Sequence, residues 1–323
     1  MQISLPLRDF SCSVDMSLLV VGSMAFDSIE TPFGKTDRIV GGAATYIAWA
    51  ASCFVKQVQQ ISVVGGDFPE QELQQLAARG VDLSGVQIKK DQKSFYWAGR
   101  YHLDMNSRDT LVTELNVLAD FQPVVPQSFR RAEYVMLGNL SPDVQLSVIQ
   151  QLEQRPRLIA MDTMNFWMDT RMDGLKKVLA KVDALLINDA EARQLSGEYS
   201  LVKAARTIHR MGPRYVVIKK GEHGALLFYK NHAFFAPALP LEEVFDPTGA
   251  GDTFAGGFMG YIAHTGDLSF ENMKTAVVVG SAMASFCVEK FGVQRLKEIS
   301  PEDIESRIRQ FVDLMHFDID LVQ

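Results

Sequence analysis

The 323-residue chain has few cysteines, no long apolar run and no surplus of positive charge, and each shortage excludes something. Its three cysteines, Cys12, Cys53 and Cys287, are odd in number and far apart, with neither a CxxC pair nor a zinc spacing. That pattern excludes a disulfide framework and predicts reduced thiols in a cytoplasmic protein. The longest apolar run, AVVVGSAMASFCV at 276–288, is broken by Gly and Ser and is too short to span a bilayer. LLVVGSMAF at 18–26 is a poor signal core, because Asp9 and Asp15 precede it and Asp27 follows at once. Lys and Arg total 32 against 39 Asp and Glu, so a nucleic acid or an anionic membrane is not the expected partner. Two phosphate-loop patterns are missing as well. GxxxxGK[ST] occurs nowhere, and GxGxxG fails at Phe254, which excludes a dinucleotide-dependent oxidoreductase of that type.

What the chain does have is 47% hydrophobic residues in short runs that alternate with amphipathic stretches. Strands are expected at 17–24, 60–65, 134–138, 158–162, 184–188 and 215–219. Helices are expected at 43–54, 69–79, 143–154, 173–181, 189–196, 200–211, 250–264, 271–287 and 301–315. Continuous apolar strands separated by helices predict an α/β fold in three αβα layers, with a mostly parallel central sheet covered on both faces. Ligands gather at the carboxyl ends of such strands. Residues 28–40 and 94–115 show little helical period, and the second is rich in strand formers, so together they are expected to form a small β lid. The main body then comprises 16–27, 41–93 and 116–323. Residues 1–15 read as a loosely attached extension, with Met16 as a second candidate start.

The stretch VFDPTGAGDTFAGGFMGYIA at 244–263 places small residues just before a helix. Gly249, Ala250 and Gly251 leave the first-turn amides uncovered at the positive end of the helix dipole, where an anion is held. Asp252 in the same turn is a poor neighbour for a phosphate unless it has a separate task, such as accepting a proton from an attacking hydroxyl. The structural alternative is a tight turn followed by an ordinary helix-start charge.

DPTGAGDTFAGGF resembles the signature of the PfkB family of carbohydrate kinases, which includes ribokinases, fructokinases and adenosine kinases. VVGSMAFD at the first strand, GGAATYIAWAA (41–51), VGGDF (64–68), NDAEA (188–192) and VIKKGEHGALLF (217–228) extend the similarity from Leu18 to about Arg295. The resemblance implies a ribokinase-like fold and an ATP- and Mg²⁺-dependent phosphotransferase. Asp252 would be the general base, and residues 249–252 the anion hole through the amides of Ala250, Gly251 and Asp252. Asn188 and Glu191 of the NxxE motif would orient Mg²⁺ through water, although the same pair also reads as a helix capping box. Lys220, Gly221, Gly224, Thr248, Gly251 and Ser281 would lie on the nucleotide side. Lys219 and His223 read more simply as part of a surface hairpin turn. Asp246 and Thr248 match positions that help bind a monovalent cation such as K⁺, with Pro247 where many members carry Thr. On the acceptor side, Asp27 ends the first strand and would take two hydroxyls of a vicinal diol. Gly41 and Gly42 would let the backbone approach the sugar.

Departures leave the acceptor open. Ala43 and Tyr46 stand where ribokinases carry a Lys and a sugar-binding Asn, and Leu140 stands where they carry Glu. An alcohol group of a sugar is the first expectation and a nucleoside the alternative. Tyr46, Trp97, Phe166 and Trp167 are available to stack on a base, or belong to lid and core instead. Asn139, Asp162 and Asn165 at strand ends are further candidate contacts. A non-catalytic ligand-binding protein on the same scaffold is the reading from another class, and intact Asp252, NxxE and glycine turn speak against it. The lid is also expected to pair two chains as a homodimer.

Overall fold

The computed structural model describes residues 16–316; the extension expected over 1–15 lies outside the described residues. Nine strands form the main sheet: β1 (Ser17–Val21), β4 (Gln57–Gly65), β5 (Val81–Lys89), β8 (Tyr134–Leu137), β9 (Leu158–Met161), β10 (Ala184–Asn188), β11 (Tyr215–Lys219), β12 (Ala225–Tyr229) and β13 (His232–Ala236). Their order is β13-β12-β11-β10-β9-β8-β1-β4-β5, parallel from β5 to β11 and antiparallel at the β11–β12 and β12–β13 pairs.

Helices cover both faces: α1 (Ala43–Ala51), α2 (Glu70–Ala78), α3 (Pro142–Gln151), α4 (Asn165–Thr170), α5 (Met172–Leu179), α6 (Asp189–Ser196), α7 (Leu201–His209), α8 (Ala250–Thr265), α9 (Phe270–Cys287), α10 (Gln294–Glu298) and α11 (Pro301–Met315). The period of two along β1 explains why every residue of its run is apolar. Leu18 and Val20 pack with α1, α8 and α9, while Leu19 and Val21 face α3, α5 and α7. Burying each such side chain contributes about 1.5–3 kcal/mol. Gly256 and Gly260 bring α8 onto α1 so closely that a side chain at 256 would lie 2.5 Å from the Ile47 carbonyl oxygen.

A second sheet, β3-β2-β6-β7, is built from β2 (Ala25–Thr31), β3 (Gly34–Gly41), β6 (Phe95–Tyr101) and β7 (Arg108–Glu114). The expected first strand at 17–24 is therefore cut short. It ends at Val21 because Ser23 turns aside to cap α1, its Oγ and carbonyl oxygen accepting the amides of Ala43 and Ala44 at 3.1 and 2.9 Å. Asp27 consequently sits on the lid strand β2 and not at the end of the first central strand. The strands β5, β12 and β13 were not among the expected ones. β5 and β13 are edge strands, where half-exposure weakens the apolar signal, and β12 lies between β11 and β13 in the antiparallel end of the sheet, where it reads as one arm of a hairpin.

Candidate active site

The crevice is set by where strands stop. β8, β9, β10 and β11 run parallel, so the residues that follow or close them, Asn139, Asp162, Asn188 and Lys219, gather at one edge of the sheet. The first turn of α8 lies beside Lys219, whose Nζ is 3.5 Å from the Gly251 carbonyl oxygen.

Gly249 is the N-cap of α8 with φ 77°, a left-handed conformation natural to glycine. A side chain there would also run into the Tyr46 ring at 2.4 Å. Tyr46 is thus the floor under the glycine turn at the start of α8. It is 1% exposed, and its hydroxyl has no hydrogen-bond partner among the described residues. A buried ring in this place is not available to stack on a base from the crevice.

Asp252 follows two residues into the helix. Burial first, then the charge of Asp162, lift its pKa to about 7, against the lowering pull of Lys219 and Arg108. Glu191 is raised to about 7 for the same leading reason, burial, with Asp162 adding to it. Asn188 and Glu191 do form a capping box, with both bonds at 2.8 Å. One Glu191 oxygen is committed to the Asn188 amide, which leaves the other available to a ligand.

Asp27 is buried and raised to about 7, chiefly by desolvation and then by Asp246 and Asp252; the Gly42 amide donates to it. Gly41 lies against this carboxylate, where a side chain would stand 1.9 Å from Oδ2. Asp162 accepts from Lys219 Nζ at 3.1 Å through Oδ2 and from the Thr163 amide at 2.7 Å through Oδ1. Asn139 accepts from Trp167 Nε1 at 2.9 Å, and Asn165 bonds Gln194 on α6. Phe166 is 49% exposed and meets Trp167 edge-on at 4.8 Å, so this pair, unlike Tyr46, presents ring surface at the crevice.

Asp246 is fully buried. Its two oxygens accept the amides of Thr248 at 2.8 Å and Gly292 at 2.9 Å, which ties the anion turn to the loop after α9. Ser281 is buried within α9. Gly221 and Gly224 hold the turn after β11 with positive φ, closed by Lys220 N–H donating to the Gly224 carbonyl oxygen at 2.8 Å.

Three participants were not assigned from the sequence. Lys219 was expected on a surface turn, yet its side chain is 16% exposed and paired with Asp162. The other two come from the lid. The Tyr101 hydroxyl oxygen accepts from Thr248 Oγ1 at 3.2 Å and from the Arg108 guanidinium at 3.5 Å. Beyond them, Asn106 at the hairpin tip rests on Gly221, where a side chain would lie 2.1 Å from its Oδ1. The lid is folded down onto both the anion turn and the turn after β11. No local pattern marks these contacts, since Arg108 is 144 residues from Asp252 in sequence.

The model of the pfkB family carbohydrate kinases matches residues 11–299. The chain belongs to the pfkB family. It is 33% identical over 248 residues to a cytidine kinase of Thermococcus kodakarensis, covering 76% of this chain and 87% of the relative. It is 28% identical over 312 residues to a nucleoside kinase of Methanothermobacter thermautotrophicus, covering 87% and 92%. The solved structure of a Burkholderia thailandensis nucleoside kinase with inosine superposes with a TM-score of 0.71 at 20% identity, over 92% of this chain and 99% of that one. The ribokinase-like fold and an ATP-dependent kinase activity follow for this pfkB protein. No helix among its described residues is long and apolar enough to cross a membrane.

Proposed function

We propose that this kinase phosphorylates the primary alcohol of a nucleoside, with Asp252 as general base and the amides of 250–252 as the anion hole. One observation carries the mechanism: a buried carboxylate poised at about 7 stands in the first turn of α8 beside the Gly251 amide, while the Ala250 amide donates to the Pro247 carbonyl oxygen at 3.2 Å and would turn to a bound anion. A base near the working pH accepts a proton as the acceptor oxygen attacks, and fixed amides meet the charge on the transferring group.

Two features favour a nucleoside over a free sugar. The ribokinase-like polar contacts are replaced by Ala43, Tyr46 and Leu140, and the exposed Phe166–Trp167 pair offers a base-sized apolar surface. The named activities of the two relatives agree with this choice. Asp27 against Gly41 and Gly42 takes the vicinal hydroxyls that a ribosyl group and a free sugar share, which keeps a sugar as the second reading.

Glu191 and Asn188 suit Mg²⁺, which keeps several waters and needs few protein ligands. When bound, the ion neutralises phosphate charge; Glu191 and Asn188 would hold it. A K⁺ ion at Asp246 and Thr248 would share Asp246 oxygens already bonded to backbone amides and a Thr248 hydroxyl already bonded to Tyr101, and no step is assigned to it. Lys220, Gly221, Gly224 and Ser281 remain the nucleotide side of the reading. The outer lid strand β7, with Leu111 and Val112 exposed, is the surface through which two chains would pair, in a cytoplasmic enzyme.

The deciding experiment is an ADP-release screen of nucleosides, pentoses and hexoses. Turnover with cytidine or another nucleoside at higher kcat/KM than any free sugar is the expected result; a free sugar ahead of all nucleosides would reverse the assignment.

A further inference from the structure

Lys219 has no part in the reaction as proposed, yet it stands in the most crowded corner of the site. It closes β11, and its register partner on β10 is Asn188. Its ammonium is 3.1 Å from Asp162 Oδ2 and 3.5 Å from the Gly251 carbonyl oxygen, and a side chain on Gly251 would come within 2.9 Å of it. Asp162, Glu191 and Asp252 all lie close enough for its charge to act on them. A lysine that served only as counter-charge to Asp162 would need no second bond to the anion turn. An ammonium carries three N–H donors, and these two bonds use two of them.

We infer that Lys219 is a catalytic residue that donates a hydrogen bond to the phosphoryl group in transit, an inference that rests on the kinase mechanism proposed above. In that step the acceptor oxygen forms a bond to the γ-phosphorus of ATP as the bond from that phosphorus to the bridging oxygen breaks. The electron pair of the broken bond stays on the terminal phosphate of ADP, and the acceptor proton passes to Asp252. Negative charge on the transferring oxygens and the leaving oxygen is what a fixed cation stabilises, without reorganising as the reaction proceeds.

Asp162 is then a positioning residue that holds the ammonium across the intervening strand β10. Its own backbone is fixed in turn. Gln145 Nε2 donates to the carbonyl oxygens of Gly138 and Asp162 at 2.9 and 3.1 Å, tying the ends of β8 and β9. Arg108 of the lid adds a second positive charge near Asp252, but from an exposed edge strand and, among the described contacts, bonded toward the glycine turn only through Tyr101.

The test compares Lys219→Met, Lys219→Arg and the double variant Lys219→Met/Asp162→Asn. Turnover is followed with ATP and cytidine, and binding with Mg²⁺ and either ADP or a non-hydrolysable ATP analogue. Lys219→Met is expected to lower kcat about 100-fold with the acceptor KM changed less than about threefold. It should weaken the ATP analogue about tenfold more than ADP, because only the former carries the γ-phosphate. Arginine should recover part of the loss, and the double variant should remain as slow as the single one. Wild-type kcat in the double variant would overturn the inference, since it would reduce Lys219 to the partner of a buried carboxylate. Equal weakening of ADP and ATP analogue would overturn it too. Where Lys219→Met melts before assay temperature, the double variant, which does not leave Asp162 charged without its partner, supports the same two measurements. A wild-type protein inactive on every alcohol would instead defeat the kinase mechanism, and the ATP-to-ADP binding ratio would still decide Lys219.

Discussion

β8 and β9 are buried at every residue, whereas β7 is exposed at every residue, and yet both regions supply the site. The central strands deliver Asn139 and Asp162 by stopping: once the apolar run ends, the next residue is at the crevice edge. The lid delivers Asp27, Tyr101 and Arg108 by reach, as side chains along strands that cover the same edge from above. A group placed by strand ends is held by the whole core. One placed by the lid is held by a few polar contacts, such as the 3.2 Å bond between Tyr101 and Thr248. Precision is expected from the first and closure from the second.

Asp252→Asn should sharpen that contrast most. Removing the base from the rigid side is expected to lower kcat about a thousandfold, with nucleotide affinity retained. In the unsubstituted enzyme activity should rise with pH through about 7 as Asp252 ionises. Its stability should move the other way. A carboxyl whose folded pKa is raised from 3.8 to about 7 stabilises the fold fully below its unfolded pKa, and that contribution is lost as pH climbs through the folded value. The ligand-free melting temperature should therefore fall between about pH 4 and 7, less steeply in Asp252→Asn, while activity rises. An activity profile flat across this range would remove Asp252 as base.

Gly249→Ala should be next in size. It places a side chain at a left-handed φ and against the Tyr46 ring, which is expected to cost at least about 2 kcal/mol of stability and most of the turnover. Unchanged melting and kinetics would mean that the turn relaxes freely and is not the rigid partner in this comparison. The smallest effect should come from the lid. Tyr101→Phe removes the bonds to Thr248 and Arg108 and is expected to lower kcat/KM about 3- to 10-fold with melting unchanged. A loss of stability in place of catalysis would show that Tyr101 belongs with the core.

Most of the central layer was legible in advance because its signal is local. An all-apolar run such as LLVV, with helical periods on either side, reads as a parallel strand whether or not its neighbours are known. The glycine turn was legible for the same reason: small residues, an acid and a helix start are adjacent in the chain. Edge strands β5 and β13 were not, since a half-exposed strand resembles a loop or hairpin. Lys219 was misplaced for a different reason. A lysine after YVVI reads as the polar end of a strand, and only Asp162, 57 residues earlier, turns it inward.

The amino-acid order alone determined the layered α/β architecture, the family resemblance and the residues of the anion turn, because periodicity and contiguous motifs are properties of neighbours along the chain. The tertiary structure alone decided that Asp27 rides on the lid, that Tyr46 underlies Gly249, and that Arg108 and Lys219 bring positive charge to Asp252. Those relations join residues far apart in sequence, and burial and electrostatics act through space: a carboxylate's charge depends on which distant side chains folding brings beside it.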